Sequence, residues 1–241
     1  DRLKADGFHP VMAVELEFYL LDQQRDAHGR PQPALQMNGV RPQAPQVYGV
    51  AELEQLQPFI DDLYAACAVQ GLPVRTAISE YAPGQLELTL EHRFDALQAI
   101  DEGVRYKRLV KGVAHQHGFV ACFMAKPFGE LAGSGMHMHV SLADEQGNNL
   151  MASAEPTGTP LLKHAIGGML ATLNDALAIF CPNANSYRRF QANSYAPLAK
   201  SWGVNNRTVS FRVPGGPAKS RPVERRPCGA DATPQLAAAG T

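Results

Sequence analysis

Two glutamates alternate with apolar residues in the stretch Val11-Met-Ala-Val-Glu15-Leu-Glu17-Phe-Tyr-Leu-Leu21, whose composition predicts a β-strand. Because residues i and i+2 of a strand point to the same face, Glu15 and Glu17 should stand side by side. Two carboxylates held this close repel each other, and burying them requires a compensating cation. A divalent metal ion would satisfy both groups. An edge strand whose outer face is open to water would carry the same pattern.

The composition is that of an ordinary globular protein and argues against several classes of function. Of the 241 residues, 45% are hydrophobic and 19% are charged, and the net charge is −1. Without an overall basic field, we expect no nucleic-acid partner. No apolar run approaches the roughly 20 residues that span a bilayer, so we expect no membrane association. Four widely separated cysteines, typical of reduced thiols, predict a cytoplasmic protein: Cys67, Cys122, Cys181 and Cys228.

Apolar periodicity predicts strands and helices in mixed order. The expected strands are residues 11–21, 74–79, 85–91, 119–125, 135–142 and 208–213, with the segment after Asn149 pairing with 135–142 as in a hairpin. The expected long helices are residues 51–70, 94–117 and 160–180, and the small-residue tail shows no clear terminal element. Hairpin-like neighbours favour an α+β domain on a mainly antiparallel sheet over a doubly wound parallel one.

A second pair of glutamates lies in the stretch Glu80-Tyr-Ala-Pro-Gly-Gln-Leu-Glu87. Glu80 should end one strand, and Glu87 should lie inside the next strand. A turn at Pro83 and Gly84 can bring the two carboxylates to one edge of the sheet. Taken alone, the pattern also fits two solvated glutamates on a strand face, which is the commoner case.

A third group of polar residues follows the glycine-rich segment Gly133-Ser-Gly135. His137, His139 and Ser141 should share one face of a strand, and the preceding glycines let the backbone approach a ligand closely. Two histidines at this spacing are compatible with zinc, but no cysteine or third histidine follows at a zinc spacing. One histidine that joins several glutamates suits Mg²⁺ or Mn²⁺ better.

Basic residues concentrate towards the C-terminus. The stretches Ser186-Tyr-Arg-Arg-Phe190 and Trp202-Gly-Val-Asn-Asn-Arg207 are followed by Arg212, Lys219, Arg221, Glu224 and Arg226. Guanidinium groups bind phosphate and carboxylate through two parallel hydrogen bonds. Acidic residues that hold metal, combined with arginines that hold a polyanion, are what phosphoryl transfer requires. A basic surface patch would have the same composition.

Eight motifs in one order resemble the catalytic domain of the glutamine synthetase family, over roughly Val11 to Pro234. They are Glu-x-Glu-Phe-Tyr, Glu-Tyr-Ala-Pro-Gly-Gln-x-Glu, Met-Ala-Lys-Pro, Gly-Ser-Gly-Met-His-x-His-x-Ser-Leu, Ser-Tyr-Arg-Arg-Phe, Ala-Pro-x4-Trp-Gly-x-x-Asn-Arg, Arg-Val-Pro and Val-Glu-x-Arg. The resemblance implies a glutamine synthetase/guanido kinase-like α+β domain, with a curved, mainly antiparallel sheet flanked by helices. The implied activity is ATP-dependent ligation of the glutamate γ-carboxylate to an amine through γ-glutamyl phosphate.

The resemblance also implies a role for each matching residue. It assigns one Mg²⁺ or Mn²⁺ ion to Glu17, Glu80 and Glu87, and a second ion to Glu15, His137 and Glu224. Contacts to ATP, the cosubstrate, fall on His139, Ser141, Arg212 and Lys219. Contacts to glutamate fall on Gly133, Arg189 and Arg226. The catalytic residues would be Arg207, which stabilises the transferring phosphoryl group, and Glu87.

Three positions depart from the family pattern. Tyr195 precedes Ala-Pro where glutamine synthetases carry a flap glutamate that binds and deprotonates ammonium. Ala132 replaces an asparagine before Gly-Ser-Gly, and Pro222 replaces a common arginine, which removes one nucleotide contact. The stretches Ser-Tyr-Ala-Pro and Trp-Gly-x-x-Asn-Arg-Thr are similar to the γ-glutamylpolyamine (γ-glutamylputrescine) synthetase branch. We therefore expect Tyr195 to contact an organic amine, such as a polyamine, rather than ammonia.

Other readings stay open at this point. A glutamine synthetase that uses ammonia would share most of these motifs. A guanidino-kinase-like phosphotransferase would lack the Glu-x-Glu metal cage, and a non-catalytic scaffold is disfavoured because all six metal-ligand positions are intact. The resemblance further implies that residues 1–241 are a catalytic domain truncated at both ends, without an N-terminal β-grasp domain and C-terminal helices. It implies a ring-forming homo-oligomer for the full-length protein.

Overall fold

Eight strands form one sheet in the computed structural model of the chain, which describes residues 2–217 and 219–241. They are β1 (His9–Asp22), β2 (Val74–Ser79), β3 (Gln85–Leu90), β4 (Phe119–Cys122), β5 (Met136–Ala143), β6 (Trp202–Val204), β7 (Phe211–Val213) and β8 (Val223–Arg225). The order is β2-β3-β1-β5-β8-β7-β6, and β4 pairs with the C-terminal part of β1. Only the β6–β7 pair is parallel among the described strands. The prediction of a mainly antiparallel sheet is confirmed.

Helices connect and cover these strands. They are α1 (Arg2–Ala5), α2 (Val50–Gln55), α3 (Gln57–Val69), α4 (Ala96–Gln116), α5 (Pro160–Phe180), α6 (Ala184–Tyr187) and α7 (Pro234–Ala239). The bounds predicted for α5 are confirmed. The start of α4 is set by Asp95, whose carboxylate accepts hydrogen bonds from two backbone amides of the first turn. None of the helices in the described ranges has the length and apolarity needed to cross a membrane.

The core lies between one face of the sheet and the long helices. Val14 and Phe18 of β1 are buried in the same cluster as Leu63 of α3 and Val110 of α4. Gly103 of α4 faces β1, and a Cβ atom there would lie 3.6 Å from Val14, an ordinary contact distance. Because side chains alternate along β1, the glutamates of this strand point away from the core.

Several predicted elements were wrong in detail. The single helix expected at 51–70 is two helices, α2 and α3, separated by Leu56. Pro58 lies in the first turn of α3, where its missing N–H leaves no hydrogen bond unmade. The segment after Asn149 forms only an isolated bridge with Ala143 and not a strand. The strand expected to end at residue 125 ends at Cys122.

The C-terminal tail, predicted to lack a clear element, forms α7. The guanidinium group of Arg225 is buried and stacks 3.7 Å above the ring centroid of Phe180. It donates hydrogen bonds to the carbonyl oxygens of Ala237 (2.5 Å) and Gly240 (3.1 Å). These contacts satisfy carbonyl groups at the end of the helix. A distant arginine therefore stabilises α7, and local sequence does not reveal it.

Candidate active site

Neighbouring strands bring acidic and histidine side chains together on the face opposite the core. The cross-strand pairs are Glu17 with Glu87 (β1 and β3), Glu15 with His137 (β1 and β5), and His139 with Glu224 (β5 and β8). Directly opposed residues on adjacent strands have Cβ atoms about 5 Å apart, which is close enough for their side chains to share a ligand. The register of four strands therefore assembles these residues from distant parts of the chain.

The first triad consists of Glu15, His137 and Glu224. Nδ1 of His137 lies 3.3 Å from Oε2 of Glu15 and 3.7 Å from Oε1 of Glu224. One potential ligand atom from each residue lies within 4.8 Å of the others. On its far side, Oε1 of Glu15 lies 2.9 Å from Nε2 of His139. Two carboxylates and an imidazole at this spacing can bind one divalent cation.

The second triad consists of Glu17, Glu87 and, again, His137, with ligand atoms within 4.8 Å of one another. Nε2 of His137 lies 3.8 Å from Oε1 of Glu17. The other oxygen of Glu17 accepts a hydrogen bond of 2.6 Å from the amide of Gly135, which fixes its orientation. Glu80, also predicted to bind metal, lies outside both triads but lines the same cleft.

The two triads differ in their electrostatics. Burial opposes ionisation of Glu15, but His139 and His137 hold its pKa well below the usual range. In the second triad, burial and the carboxylates of Glu15 and Glu17 raise the pKa of Glu87 well above its ordinary value. Burial and Glu17 likewise raise the pKa of Glu80 to about 8. Carboxylates that repel one another this strongly fit a site that a divalent cation neutralises.

Three arginines, of which Arg189 and Arg226 are buried, border the residues of the two triads. Arg226 pairs with Oε1 of Glu224, and Nη1 of Arg212 lies 2.5 Å from Oε2 of the same carboxylate. Arg189 is only 4% exposed and donates a hydrogen bond of 3.1 Å to the carbonyl oxygen of Pro227. Each guanidinium group carries five N–H donors, more than these contacts use. The remaining donors can bind carboxylate or phosphate groups of a ligand.

The glycine-rich loop before β5 packs against Arg189. A Cβ atom at Gly133 would lie 2.5 Å from Cγ of Arg189, so only glycine fits. The hydroxyl of Tyr19 donates to the carbonyl oxygen of Ala132 at 2.6 Å, and Nε2 of Gln85 donates to that of Gly133 at 3.0 Å. Tyr19 and Gln85 are cross-strand partners in β1 and β3. The sheet therefore positions this loop as well, through two side chains to which sequence reasoning gave no role.

The second triad opens into a cleft of about 990 Å³. We call the five residues of the two triads the acidic floor: Glu17, Glu87 and His137 line the cleft, and Glu15 and Glu224 adjoin His137. We call the pair Tyr81 and Tyr195 the aromatic rim: their hydroxyl oxygens are 3.1 Å apart and their rings meet edge to face, with centroids 5.0 Å apart. Arg207 is exposed at the same opening and acts to lower the pKa of Glu80.

The residues predicted to contact ATP are not all brought together. His139 and Ser141 are buried next to each other on one face of β5, and Arg212 lies beside Glu224. Lys219 is exposed in the loop between β7 and β8 and does not line the described cleft. Sequence reasoning missed His92, whose ring lies 5.7 Å from that of His139. His92 belongs to no motif and to no periodic pattern. It lies near His139 only because the chain leaves β3 two residues earlier.

Comparison with known sequences decides the family. A family profile described as "Glutamine synthetase, catalytic domain" matches residues 1–241. The chain belongs to the glutamine synthetase family. The assignment made from the eight motifs is therefore confirmed.

Several members of the glutamine synthetase family are similar to this chain. Gamma-glutamylputrescine synthetase PuuA of Escherichia coli (strain K12) is 44% identical over 236 residues, which are 98% of this chain and 50% of the relative. Gamma-glutamylethanolamide synthetase GlnA4 of Streptomyces coelicolor (strain ATCC BAA-471 / A3(2) / M145) is 35% identical over 100% of this chain and 51% of its own length. The chain thus spans about half the length of the curated relatives it matches.

Solved structures share the fold of this chain. A GmaS–ADP complex matches 99% of this chain and 54% of its own, with a TM-score of 0.82 and 27% identity. A structure described as a novel glutamine synthase homolog matches with a TM-score of 0.81, 27% identity, 99% of this chain and 55% of its own. The α+β fold class predicted from the motifs is therefore confirmed.

Proposed function

We propose that this chain is the catalytic domain of an ATP-dependent ligase that joins the γ-carboxylate of glutamate to an amine. The observation that carries the proposal is the convergence of two acidic triads and buried arginines beside one cleft. A site with both signs of charge suits a metal-bound nucleotide and a dicarboxylate together. The names of the curated relatives, a gamma-glutamylputrescine synthetase and a gamma-glutamylethanolamide synthetase, support this reaction class.

Two divalent cations, Mg²⁺ or Mn²⁺, fit the acidic floor. Oxygen ligands with a single imidazole suit such hard ions, and the raised pKa of Glu87 supports a cation between the carboxylates. The proposed ligands are Glu15, His137 and Glu224 for one ion, and Glu17, Glu80 and Glu87 for the other. When bound, the ions neutralise the phosphate charge of ATP and polarise its γ-phosphoryl group.

The chain's own residues would hold and orient the two substrates. Arg189, Arg226 and the backbone of Gly133 would hold glutamate, so that a γ-carboxylate oxygen attacks the γ-phosphorus and ADP leaves. Arg207 would stabilise charge on the transferring phosphoryl group. The product, γ-glutamyl phosphate, has a good leaving group where the carboxylate had none. The amine then attacks the acyl carbon, inorganic phosphate leaves, and the amine loses a proton to solvent.

The nucleotide would lie at the β5–β8 end of the sheet. His139, Ser141, Arg212 and Lys219 are the proposed contacts to ATP. Nη2 of Arg212 is held at 3.0 Å by Asn205, which leaves its guanidinium plane fixed beside the floor. The ADP of the matching GmaS complex supports a nucleotide site in this fold.

An organic amine is the proposed acceptor, and a polyamine such as putrescine is its first candidate. The aromatic rim carries no carboxylate to trap ammonium, whereas tyrosine faces attract an alkylammonium group and pack against its methylenes. The similarity to PuuA supports the same choice. Ammonia is the second candidate, because the carboxylate of Glu80 lies at the same opening and could contact an ammonium ion.

The proposal also covers the domain composition, the oligomeric state and the cellular compartment of the full-length protein. The half-length coverage of the curated relatives supports a longer protein in which this domain works. As the resemblance implies, we propose a cytoplasmic, ring-forming homo-oligomer that also contains a β-grasp domain and C-terminal helices.

The test is an amine panel on the full-length protein with ATP, glutamate and Mn²⁺ or Mg²⁺, read out as phosphate release. Putrescine or another alkylamine should exceed ammonium in kcat/KM by about tenfold or more, since a missing charge contact costs at least this factor. Equal or better use of ammonium would assign the protein to glutamine synthesis. Absence of phosphate release with every amine, together with melting curves that Mn²⁺ and ATP do not shift, would instead indicate a scaffold.

A further inference from the structure

We propose that Lys126 is a positioning residue that holds the two loops of the cleft at a fixed distance from each other. The kinetic part of this inference rests on the proposed function, whereas the structural part does not. Lys126 is 6% exposed and borders the cleft. It belongs to the motif Met-Ala-Lys-Pro, to which the proposed reaction assigns no role.

The first loop that Lys126 contacts is the segment 129–133. Its ammonium group donates a hydrogen bond to the carbonyl oxygen of Leu131. Leu131 lies two residues before Gly133, which packs against Arg189 and is anchored to the sheet by Gln85. Lys126 is therefore joined to the part of the cleft that would hold glutamate.

The second loop is the segment 191–196, which carries Tyr195. The ammonium group of Lys126 lies 3.2 Å from Oε1 of Gln191, which accepts a hydrogen bond from it. The carbonyl oxygen of Gln191 accepts one of 2.7 Å from the hydroxyl of Ser194, which in turn accepts the amide of Ala196 at 3.3 Å. The turn is thus folded around Gln191, and moving Gln191 moves Tyr195 relative to Tyr81.

The backbone of Lys126 is held independently of its side chain. Its amide donates to Oδ1 of Asn185 at 2.9 Å, and Nδ2 of Asn185 donates back to its carbonyl oxygen at 2.9 Å. A substitution at residue 126 therefore removes the hydrogen bonds that link the two loops, while the backbone around residue 126 keeps its position. A charged donor also makes a stronger hydrogen bond than a neutral one, so the bridge is not easily replaced by a neutral side chain.

The first experiment is amide hydrogen exchange on the full-length Lys126→Met protein, with Lys163→Met on the exposed face of α5 as the matched control. Exchange in the segment 191–196 should accelerate about tenfold, as expected for loss of one charged hydrogen bond, while β5 keeps its protection. Alkylation of a Lys126→Cys variant with 2-bromoethylamine, which restores an ammonium group, should restore the slow exchange. Unchanged exchange in the segment 191–196 would overturn the proposal.

The second experiment measures steady-state kinetics. Lys126→Met should raise the KM for the amine about tenfold and leave the KM for ATP within about twofold, since the nucleotide end lies elsewhere on the sheet. Gln191→Ala, a change at an exposed position, should have the same effect, and the double variant should be no worse than either single one. Additive effects of the two substitutions on the KM for the amine would contradict the proposed bridge between Lys126 and Gln191. If the unchanged protein turns over no amine, the proposed function fails, and the exchange data on Lys126→Met and Gln191→Ala still decide the positioning role.

Discussion

The acidic floor and the aromatic rim of the same cleft are built in different ways. Every residue of the floor lies on a strand, and cross-strand pairing fixes its neighbours, as in Glu15 with His137. Tyr81 and Tyr195 lie on loops instead and meet through one hydroxyl contact and one ring contact. A floor set by the register of a sheet cannot shift without moving the core behind it. A rim made of loops can change while the floor stays the same.

This contrast suggests that the floor and the rim have different roles in the proposed reaction. In the proposed function, metal binding and phosphoryl transfer would tolerate displacements of only about half an ångström, and the rigid sheet would provide this precision. In the same proposal, choice of the amine would need a surface that can vary between related enzymes, and the loops of the rim would provide it. The contrast predicts that floor substitutions abolish turnover, whereas rim substitutions redirect it.

His137→Ala should have the largest effect, because both triads include this imidazole. We expect phosphate release to fall by about 10³-fold or more and Mn²⁺ binding to weaken, as second-sphere losses alone already cost about 10–100-fold. Glu87→Ala should behave in the same way. His164→Ala, at an exposed position of α5, is the matched control. Normal turnover by His137→Ala would show that the floor does not bind metal.

Tyr195→Glu should have the next largest effect, and on selectivity rather than on overall chemistry. A carboxylate at the rim attracts ammonium and removes the ring that favours an alkylammonium group. The ratio of kcat/KM for putrescine over ammonium should fall by about tenfold, on the scale of one charge contact. Tyr195→Phe, which keeps the ring, should retain the preference of the unchanged protein. A uniform loss for both amines would place Tyr195 in the floor's chemistry instead.

The pH dependence of stability should report on the carboxylate of Glu80, which lines the cleft between floor and rim, in the metal-free protein. The pKa of Glu80 is raised from an ordinary 4.5 to about 8, so between these values the folded protein binds more protons than the unfolded chain. Stability is then fully present below pH 4.5 and is lost as the pH rises through about 8. The melting temperature without metal should therefore fall over this range. Glu80→Gln should flatten the slope, and a slope unchanged in Glu80→Gln would contradict the assignment.

Tyr19→Phe should have the smallest effect. It removes the hydroxyl that binds the carbonyl oxygen of Ala132 and leaves the aromatic packing in place. We expect a loss of about 1 kcal/mol in the free energy of unfolding, measured by denaturant titration, with a rise of only a few-fold in the KM for glutamate. Tyr64→Phe, at a partly buried position packed against the main core, controls for loss of a hydroxyl elsewhere. An effect on ATP binding would show that the loop containing Ala132 also influences the nucleotide site, contrary to the proposal.

The sequence was sufficient to predict most of the floor, because all of its residues except Glu224 lie in strands with a period of two. Glu15 and Glu17 mark β1, and His137 and His139 mark β5, with apolar residues between them. Glu224 lies on a strand of only three residues, β8, which has too short a run to show any period, and only the family resemblance identified it. Such strands take their conformation from their neighbours in the sheet.

The bridge made by Lys126 and the aromatic rim could not be predicted from the sequence, because both depend on contacts between loops. Nothing near Lys126 in the sequence indicates that its side chain reaches both Leu131 and Gln191, 5 and 65 residues away. The contact of Tyr81 with Tyr195 spans 114 residues in the same way. Local propensity contains no information about such partners, since the fold as a whole brings them together.

Both triads share the imidazole of His137, which has a consequence for how the two proposed metal positions are filled. A neutral ring has a lone pair on one nitrogen and a hydrogen on the other. Nδ1 of His137 faces Glu15 and Glu224, and Nε2 faces Glu17, so the ring can ligate on one side only while it donates a hydrogen bond on the other. Filling either position therefore fixes the tautomer seen by its neighbour. Metal binding at one position should consequently change how strongly the other position holds a second ion.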